Sequence, residues 1–259
     1  MFEGLTPFVN RIPGRLLHTS VLGSTMFAAV SGSSAATTTT VGRITVGELL
    51  GRGYDRALTT GSLAGAGTLG LLIPPSIILI IYGVIAEVSI IRLFAAGVLP
   101  GLLIAALYSG YIIIRATLNP EIAPKRDVTY STRDLLAAAR KLVPVLILMS
   151  VILGAIYSGI ATPSEAAAIG LAATIFITVV LRQLSWSVFY DSLKSAVKVS
   201  AMITSLVVCA AVLASSMSYV RLPQSIAEII VDLAPTEFQL ILLLSVFYIF
   251  LGLARRSQS

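Results

Sequence analysis

A stretch rich in serine and threonine at residues 31–40 carries the side chains of this sequence that are best suited to ion binding. It reads SGSSAATTTT and lies within an uncharged segment, 19–42, whose centre is more polar than its ends. Hydroxyl and carbonyl oxygens of Ser31, Ser33 and Ser34 are hard ligands that suit a small cation. A helix beginning directly after them would direct free N–H groups, at its positive dipole end, towards an anion. The stretch therefore predicts a site for a cation and an anion.

The length of segment 19–42 predicts how it enters a membrane. Each arm on either side of Gly32 has about 11 residues and would be about 16 Å long as a helix, which is half of a bilayer core. We expect a re-entrant hairpin with its tip near the midplane, where irregular backbone is tolerated only inside protein or beside a cavity. The alternative is that these hydroxyl groups only join neighbouring helices by hydrogen bonds.

A second irregular segment follows in the uncharged window 57–86. Gly65, Gly67 and Gly70 precede Pro74 and Pro75. The prolines remove two N–H donors and the glycines allow bending and close approach, so the helix is expected to break here. A discontinuous helix facing a re-entrant hairpin is the site architecture of secondary transporters. A proline kink without a binding site is the alternative interpretation.

The composition excludes several classes of protein. Hydrophobic residues make up 56% of the 259 residues and charged residues only 12%, whereas soluble domains carry about 25% charged residues. A single cysteine excludes a disulfide framework, and the only histidine, His18, lies far from the serines that a protease would need. No phosphate-binding loop is present. Long uncharged windows of the length of a membrane span lie at 57–86, 93–114, 142–164, 199–220 and 238–254. We predict an all-α polytopic membrane protein that is not an enzyme.

The distribution of positive charge indicates the topology. If segment 19–42 returns to the side from which it entered, only Arg92 and Arg221 lie outside, against sixteen Lys and Arg residues inside. If the segment spanned the membrane, every later segment would be inverted, and the positive charge before the segment would lie on the opposite side from most of the positive charge after it. Residues 223–233 are too short and too polar to span, and their apolar face predicts an interfacial helix. Thr162 and Glu165 are spaced as a helix-capping box, so Glu165 is expected to cap rather than carry protons.

Four motifs occur in one order along the chain: GSSAATTTTVGRI, RGYDRALTTGSLAGAGTLGLLIPPSI, AAGVLPGLL and TPSEAAAIG. In this combination the sequence resembles the large permease subunit of tripartite ATP-independent periplasmic (TRAP) transporters. The resemblance implies sodium-driven import of organic anions, namely dicarboxylates, keto acids or sialic-acid-like sugars, through an elevator-type ion-transporter-like fold. It implies a periplasmic solute-binding protein and a small transmembrane subunit as partners. It also implies location in the bacterial inner membrane, and no cofactor other than Na+ as the coupling ion.

The resemblance also implies which residues bind. In the family the hairpin tip and the glycine-rich break build one sodium site. The matching positions for substrate and ion binding are Ser31, Gly32, Ser33, Ser34, Gly65, Gly67, Thr68, Pro74 and Pro75. The candidate Na+ ligands among them are Ser31, Ser33, Ser34, Gly67 and Thr68.

The expected organisation has five parts. These are a cytoplasmic-side lead-in helix at 1–18, the hairpin at 19–42, the broken transmembrane helix of the transport domain at 43–92, a transmembrane helix with a basic cytoplasmic loop at 93–141, and further helices of an incomplete second half at 142–259. Members of the family are longer and contain a second hairpin. We therefore expect the chain to be truncated at both ends and to hold the first half of an inverted repeat. The alternative function is a transport-inactive membrane fragment that retains only partner-subunit binding.

Overall fold

The computed structural model describes residues 2–124, 130–233 and 236–254. The α-helices in this part are α1 (Phe2–Val9), α2 (Leu17–Ser31), α3 (Ser34–Gly51), α4 (Arg56–Gly67), α5 (Ile77–Ile85), α6 (Ile90–Leu118), α7 (Thr132–Tyr157), α8 (Pro163–Val180), α9 (Trp186–Tyr219), α10 (Leu222–Leu233) and α11 (Glu237–Ala254). No β-strand occurs among these residues. Four of the described helices, α6 to α9, are long and apolar enough to cross a membrane. The prediction of an all-α polytopic membrane protein is confirmed.

Helices α2 and α3 are joined by two residues and pack against each other. Helix α2 ends at Ser31 because Gly32 adopts a left-handed conformation, with φ 61° and ψ 12°, which costs glycine little. Helix α3 begins after Ser33, whose Oγ accepts a hydrogen bond from the N–H of Ala36 at 3.3 Å. The two arms have 15 and 18 residues. Both therefore extend beyond the limits 19 and 42 expected from the sequence.

The chain between α4 and α5 is irregular. Helix α4 ends at Gly67, a 3-10 turn covers Thr68–Leu71, and the peptide bond between Pro74 and Pro75 is cis. Helices α4 and α5 have 12 and 9 residues, so neither alone reaches the 20 or so that a span requires. We call residues 68–76 the break. It lies where the sequence has its glycines and its proline pair.

Helix α6 packs on the break through two glycines. A Cβ atom at Gly97 would lie 2.6 Å from the carbonyl oxygen of Leu72, and one at Gly101 would lie 2.9 Å from the side chain of Ile73. Phe94, on the same helix, is fully buried. The long helix α6 is thus the support against which the break is held.

The basic loop predicted within 93–141 is shorter than expected. Helix α6 continues to Leu118 and α7 already begins at Thr132, so Arg133, Arg140 and Lys141 are helical. The correction has a physical cause, since Asp134 and Ser131 form a capping box that starts α7 before its apolar part. Lys125 and Arg126, two basic residues of the predicted loop, lie outside the described residues.

The capping role predicted for Glu165 is confirmed. Its Oε2 accepts a hydrogen bond from the N–H of Thr162 at 2.8 Å, and the Thr162 hydroxyl accepts one from the N–H of Glu165 at 3.3 Å. Pro163 occupies the first turn of α8, where its missing N–H has no consequence.

The chain divides into two compact units, one ending at Leu184 and one beginning at Ser185. The second unit contains α9, α10 and α11. Within it, α10 covers the segment 223–233 that the sequence predicts as an amphipathic helix. The hairpin, the break and helix α6 all belong to the first unit.

Candidate functional site

The tip of the hairpin is bound to the chain that follows the proline pair. The carbonyl oxygen of Gly32 accepts a hydrogen bond from the N–H of Ile77 at 3.1 Å. A Cβ atom at position 32 would lie 2.5 Å from the carbonyl oxygen of Pro75. Only glycine permits this approach, and it does so in a left-handed conformation that other residues rarely adopt.

A second contact joins the start of α3 to the end of α4. A Cβ atom at Gly70 would lie 2.8 Å from both the carbonyl carbon of Ser33 and the nitrogen of Ser34. Gly67 is buried, and a Cβ atom there would overlap the hydroxyl oxygen of Thr38. These two glycines are three residues apart, so they share one face of the helix and its 3-10 continuation. That face is the surface on which the hairpin rests.

Hydroxyl groups at the tip are linked to one another. The Oγ of Ser31 lies 3.1 Å from the Oγ1 of Thr37 and accepts a hydrogen bond from the N–H of Ser33 at 3.4 Å. Thr37 is fully buried. The hydroxyl of Thr38 donates to the carbonyl oxygen of Ser34 at 2.9 Å. The tip thus concentrates hydroxyl and carbonyl oxygens without any charged side chain between residues 31 and 40.

Gly65 and Thr68 face helix α6 instead. The Thr68 hydroxyl donates to the carbonyl oxygen of Gly65 at 2.7 Å and lies 3.5 Å from the hydroxyl of Tyr108. The Tyr108 ring would lie 3.1 Å from a Cβ atom at Gly65. The residues predicted for the site are therefore divided. Ser33, Ser34, Gly32 and Pro75 meet at the tip, whereas Gly65 and Thr68 contact Tyr108.

Three residues of this region are absent from the set predicted from the sequence. Gly70 was recognised from the sequence as part of the helix break but was not assigned to the site, although its spacing of three from Gly67 places both glycines on one helix face. Thr37 belongs to the polar stretch 31–40, but nothing in the sequence distinguishes it from the threonines beside it. Ser76 has no sequence signal. Ser76 is fully buried and its hydroxyl donates to the carbonyl oxygen of Leu71 at 2.8 Å, closing the loop of the break.

The helix ends supply the electrostatics of the tip. The C-terminus of α2 presents carbonyl oxygens and the negative end of its dipole, and the N-terminus of α3 presents N–H groups and the positive end. The N–H groups of Ser34 and Ala35 have no hydrogen-bond partner in the described part of the chain. No cluster of His, Cys, Asp or Glu residues that could hold a metal ion occurs among the described residues. A cation at the tip would be bound by hydroxyl and carbonyl oxygens.

His18 stabilises the opposite end of the hairpin. Its Nε2 lies 2.8 Å from the carbonyl oxygen of Pro13, and because a carbonyl only accepts, Nε2 must carry the proton. His18 is buried, so this hydrogen bond is shielded from solvent. His18 lies 13 residues before Ser31 along α2, about 20 Å as a helix, too far to act on the tip serines.

A multi-pass membrane protein in which a helical hairpin rests on a broken helix has the architecture of a secondary transporter. Residues 1–254 match the family described as tripartite ATP-independent periplasmic transporter, DctM component. The chain belongs to this family, as the motifs of its sequence predicted. Its members are transport permeases and not enzymes.

Individual relatives show the same similarity. The C4-dicarboxylate TRAP transporter large permease protein DctM of Pseudomonas aeruginosa is 37% identical over 245 residues, which cover 94% of this chain and 57% of that protein. The sialic acid permease protein SiaM of Vibrio cholerae is 32% identical, covering 97% of this chain and 58% of that one. The ectoine/5-hydroxyectoine permease protein UehC of Ruegeria pomeroyi is 35% identical, with coverages of 85% and 51%. The chain therefore spans about half the length of these relatives.

Proposed function

We propose that the chain contributes to a bacterial inner-membrane permease that imports organic anions with a sodium gradient. In this proposal a periplasmic solute-binding protein delivers the anion, and a small transmembrane subunit supports the permease. The hairpin and the broken helix move together as the elevator of the transporter, and the chain is the first half of an inverted repeat. Family membership supports the class of activity. The docking of the hairpin tip on the break is the observation that carries the proposed mechanism.

Sodium would be bound where the tip meets the break. The proposed ligands are main-chain or hydroxyl oxygens of Ser31, Ser33 and Ser34, together with the main-chain carbonyl oxygens of Gly67 and Thr68. The Thr68 hydroxyl is not among them, because it faces Tyr108. The support is that Gly70 packs directly against the Ser33–Ser34 peptide, so that the interrupted helix and the tip are in contact. Unwound carbonyl groups of such helices bind the coupling ion in secondary transporters. Hard oxygen ligands of this kind suit a small, non-redox cation.

The anion would be bound by the N-terminus of α3. The N–H groups of Ser34 and Ala35 have no partner among the described residues, and together with the helix dipole they favour a carboxylate. Two of the similar permeases carry a dicarboxylate and sialic acid in their names, and both of these are carboxylic acids. We therefore propose a carboxylate-bearing organic anion as the substrate class.

The experiment measures uptake into vesicles containing the permease and both partners, with and without a sodium gradient. Ser33→Ala and Ser31→Ala each remove one candidate hydroxyl ligand at the tip, and we expect the half-saturating sodium concentration to rise about 5- to 30-fold for a loss of 1–2 kcal/mol. Thr39→Ala is the matched control, because Thr39 is exposed and its hydroxyl bonds only to the carbonyl oxygen of Ala35. Ser33→Thr retains the hydroxyl oxygen that caps α3 and is the candidate ligand, so its sodium affinity should be close to that of the unchanged protein. Unchanged sodium dependence in both alanine variants would contradict the site.

A second candidate function is binding of the partner subunits without transport. It is favoured by the observation that the chain spans about half the length of its relatives. The same vesicles separate the two functions when this chain is used with both partners. Sodium-dependent uptake would exclude the second candidate, whereas co-purification of the small subunit without any uptake would exclude the first for this chain.

A further inference from the structure

A cavity of about 510 Å³ lies between helices α4 and α6, away from the hairpin tip. This volume is within the range of about 300–1,000 Å³ that is typical of small-molecule sites. Most of the wall is apolar, formed by residues such as Leu58, Leu107 and Ile112. Gly61 belongs to the wall, and nothing lies within 4 Å of where its Cβ atom would be. The open space beside Gly61 is thus part of the cavity.

One face of α6 gives the cavity a polar end. Tyr108, Tyr111 and Arg115 all line it and are spaced three and four residues apart, so they follow one another along that face. Arg115 lies in the last turn of α6 and is exposed. Within the described part of the chain its guanidinium makes neither an ion pair nor a hydrogen bond. An unpaired cation therefore lies at the end of an apolar cleft.

The acidic residue in the wall of the cavity, Asp55, already accepts a hydrogen bond from the backbone. Asp55 is the N-cap of α4, and its Oδ1 accepts a hydrogen bond from the N–H of Leu58 at 2.7 Å. Its charge is thus directed to the positive end of the α4 dipole. Arg56, exposed and next to it in sequence, adds a second positive charge at this end of α4. The positive charges at the mouth of the cavity therefore outnumber the negative one, and this favours an anion.

The charge distribution of the sequence places Arg115 on the cytoplasmic side of the membrane, at the end of a helix long enough to span. Anionic lipids are concentrated in that leaflet, and basic pockets between transmembrane helices bind their headgroups. Tyrosines such as Tyr108 and Tyr111 are typical of the zone between headgroups and acyl chains. We propose that this cavity binds one anionic glycerophospholipid of the cytoplasmic leaflet. The phosphate would lie at Arg115 and an acyl chain would lie beside Gly61.

This proposal is independent of the proposed transport function, because it concerns residues outside the hairpin tip. A lipid in the cavity would nevertheless touch Tyr108, whose hydroxyl lies 3.5 Å from that of Thr68. The lipid would thus be separated from the break by one side chain.

The test counts phospholipids that remain bound to the purified permease complex by native mass spectrometry. The complex is exposed to equal amounts of phosphatidylglycerol and phosphatidylethanolamine. We expect the unchanged protein to retain phosphatidylglycerol preferentially. Arg115→Gln should reduce that preference about fivefold, because one basic residue near an anionic lipid contributes about 1 kcal/mol. Gly61→Leu should reduce retention of both lipids by filling the cavity.

Two matched variants serve as controls. Gly110→Leu is on α6, where a Cβ atom also has no neighbour within 4 Å, but Gly110 does not line the cavity. Arg140→Gln removes another exposed arginine that the charge distribution places on the cytoplasmic side. Both should retain lipid as the unchanged protein does.

Equal retention of phosphatidylglycerol in all four variants would overturn the proposal, as would retention of no phospholipid at all. If Gly61→Leu instead released the small subunit while lipid retention stayed the same, a helix of protein would occupy the cavity and the proposal would also fail. Circular dichroism verifies that each variant is folded. If Gly61→Leu does not fold, the comparison of Arg115→Gln with Arg140→Gln decides the outcome, since both positions are exposed.

Discussion

At the scale of single residues, Gly32 determines how closely the hairpin tip can approach the break. It meets two independent requirements, a left-handed conformation and the close approach of Pro75. Each requirement by itself favours glycine, and both apply at the same Cα atom. The carbonyl group of the same residue also accepts the hydrogen bond from Ile77. Substitution at this position therefore affects the hairpin turn and its docking together.

Gly32→Ala should destabilise the protein by more than the 1–2 kcal/mol or so that a left-handed alanine costs, because the added methyl group also displaces Pro75. The measurement is the thermal unfolding midpoint in detergent. Gly47→Ala is the control, since Gly47 lies within α3 and a Cβ atom there has no neighbour within 4 Å. That substitution should stabilise the protein by about 0.4–1 kcal/mol. Similar midpoints for the two variants would show that the tip is not held as described.

The local chemistry of residues predicted part of the site. The polarity of Ser31–Ser34 inside an apolar chain indicated the tip, because hydroxyl groups at membrane depth need partners. Thr68 was assigned to the same site, together with Gly67, from the resemblance to the family. Helix geometry turns the two residues to different faces, and Tyr108, which contacts Thr68, is 40 residues away. Such tertiary contacts leave no local pattern in the sequence.

At the scale of elements, the break was predictable and the hairpin limits were not. Glycine and proline act through the backbone of their own turn, so their effect can be read locally. The limits 19 and 42 came from the absence of charge, but helix formation depends on hydrogen bonds rather than hydropathy. Helix α3 continues past Arg43 to Gly51 and carries an ion pair between Glu48 and Arg52, one turn apart.

The contact between α3 and α4 can be tested by a double-mutant cycle. Gly67→Ala should destabilise the protein by about 1–3 kcal/mol, because the methyl group overlaps the hydroxyl of Thr38 and forces the helices apart. Combining it with Thr38→Ala removes the overlapping atom and should recover most of the loss, giving a coupling energy of about 0.5–3 kcal/mol. The measurement is again the unfolding midpoint of the two single variants and the double variant. Strictly additive effects would contradict the contact.

At the scale of the whole molecule, the class of protein followed from composition and charge because these are properties of the entire chain. Three of the span-length helices among the described residues, α6, α7 and α9, overlap uncharged windows of the sequence. The side of the membrane on which each helix end lies is inferred from the distribution of arginine and lysine. A re-entrant hairpin keeps both of its ends on one side, and this is directly measurable.

Single cysteines introduced into a Cys209→Ala background should report that topology through a membrane-impermeant thiol reagent. Ile12→Cys and Gly51→Cys flank the hairpin, and both should react only from the cytoplasmic side. Val88→Cys, in the exposed turn before α6, should react only from the outside. Labelling of positions 12 and 51 from opposite sides would show that the hairpin spans the membrane.

The contact between tip and break has a consequence for how such permeases can diversify. It is made by the Cα atoms of Gly32 and Gly70 and by main-chain groups of Ser33, Pro75 and Ile77. Main-chain groups are common to every amino acid, so a change of cargo need not alter this junction. Permeases similar to this chain carry names as different as C4-dicarboxylate, sialic acid and ectoine. A junction built from backbone leaves selectivity to be altered by side chains elsewhere, so that selectivity can change while the contact between hairpin and break stays the same.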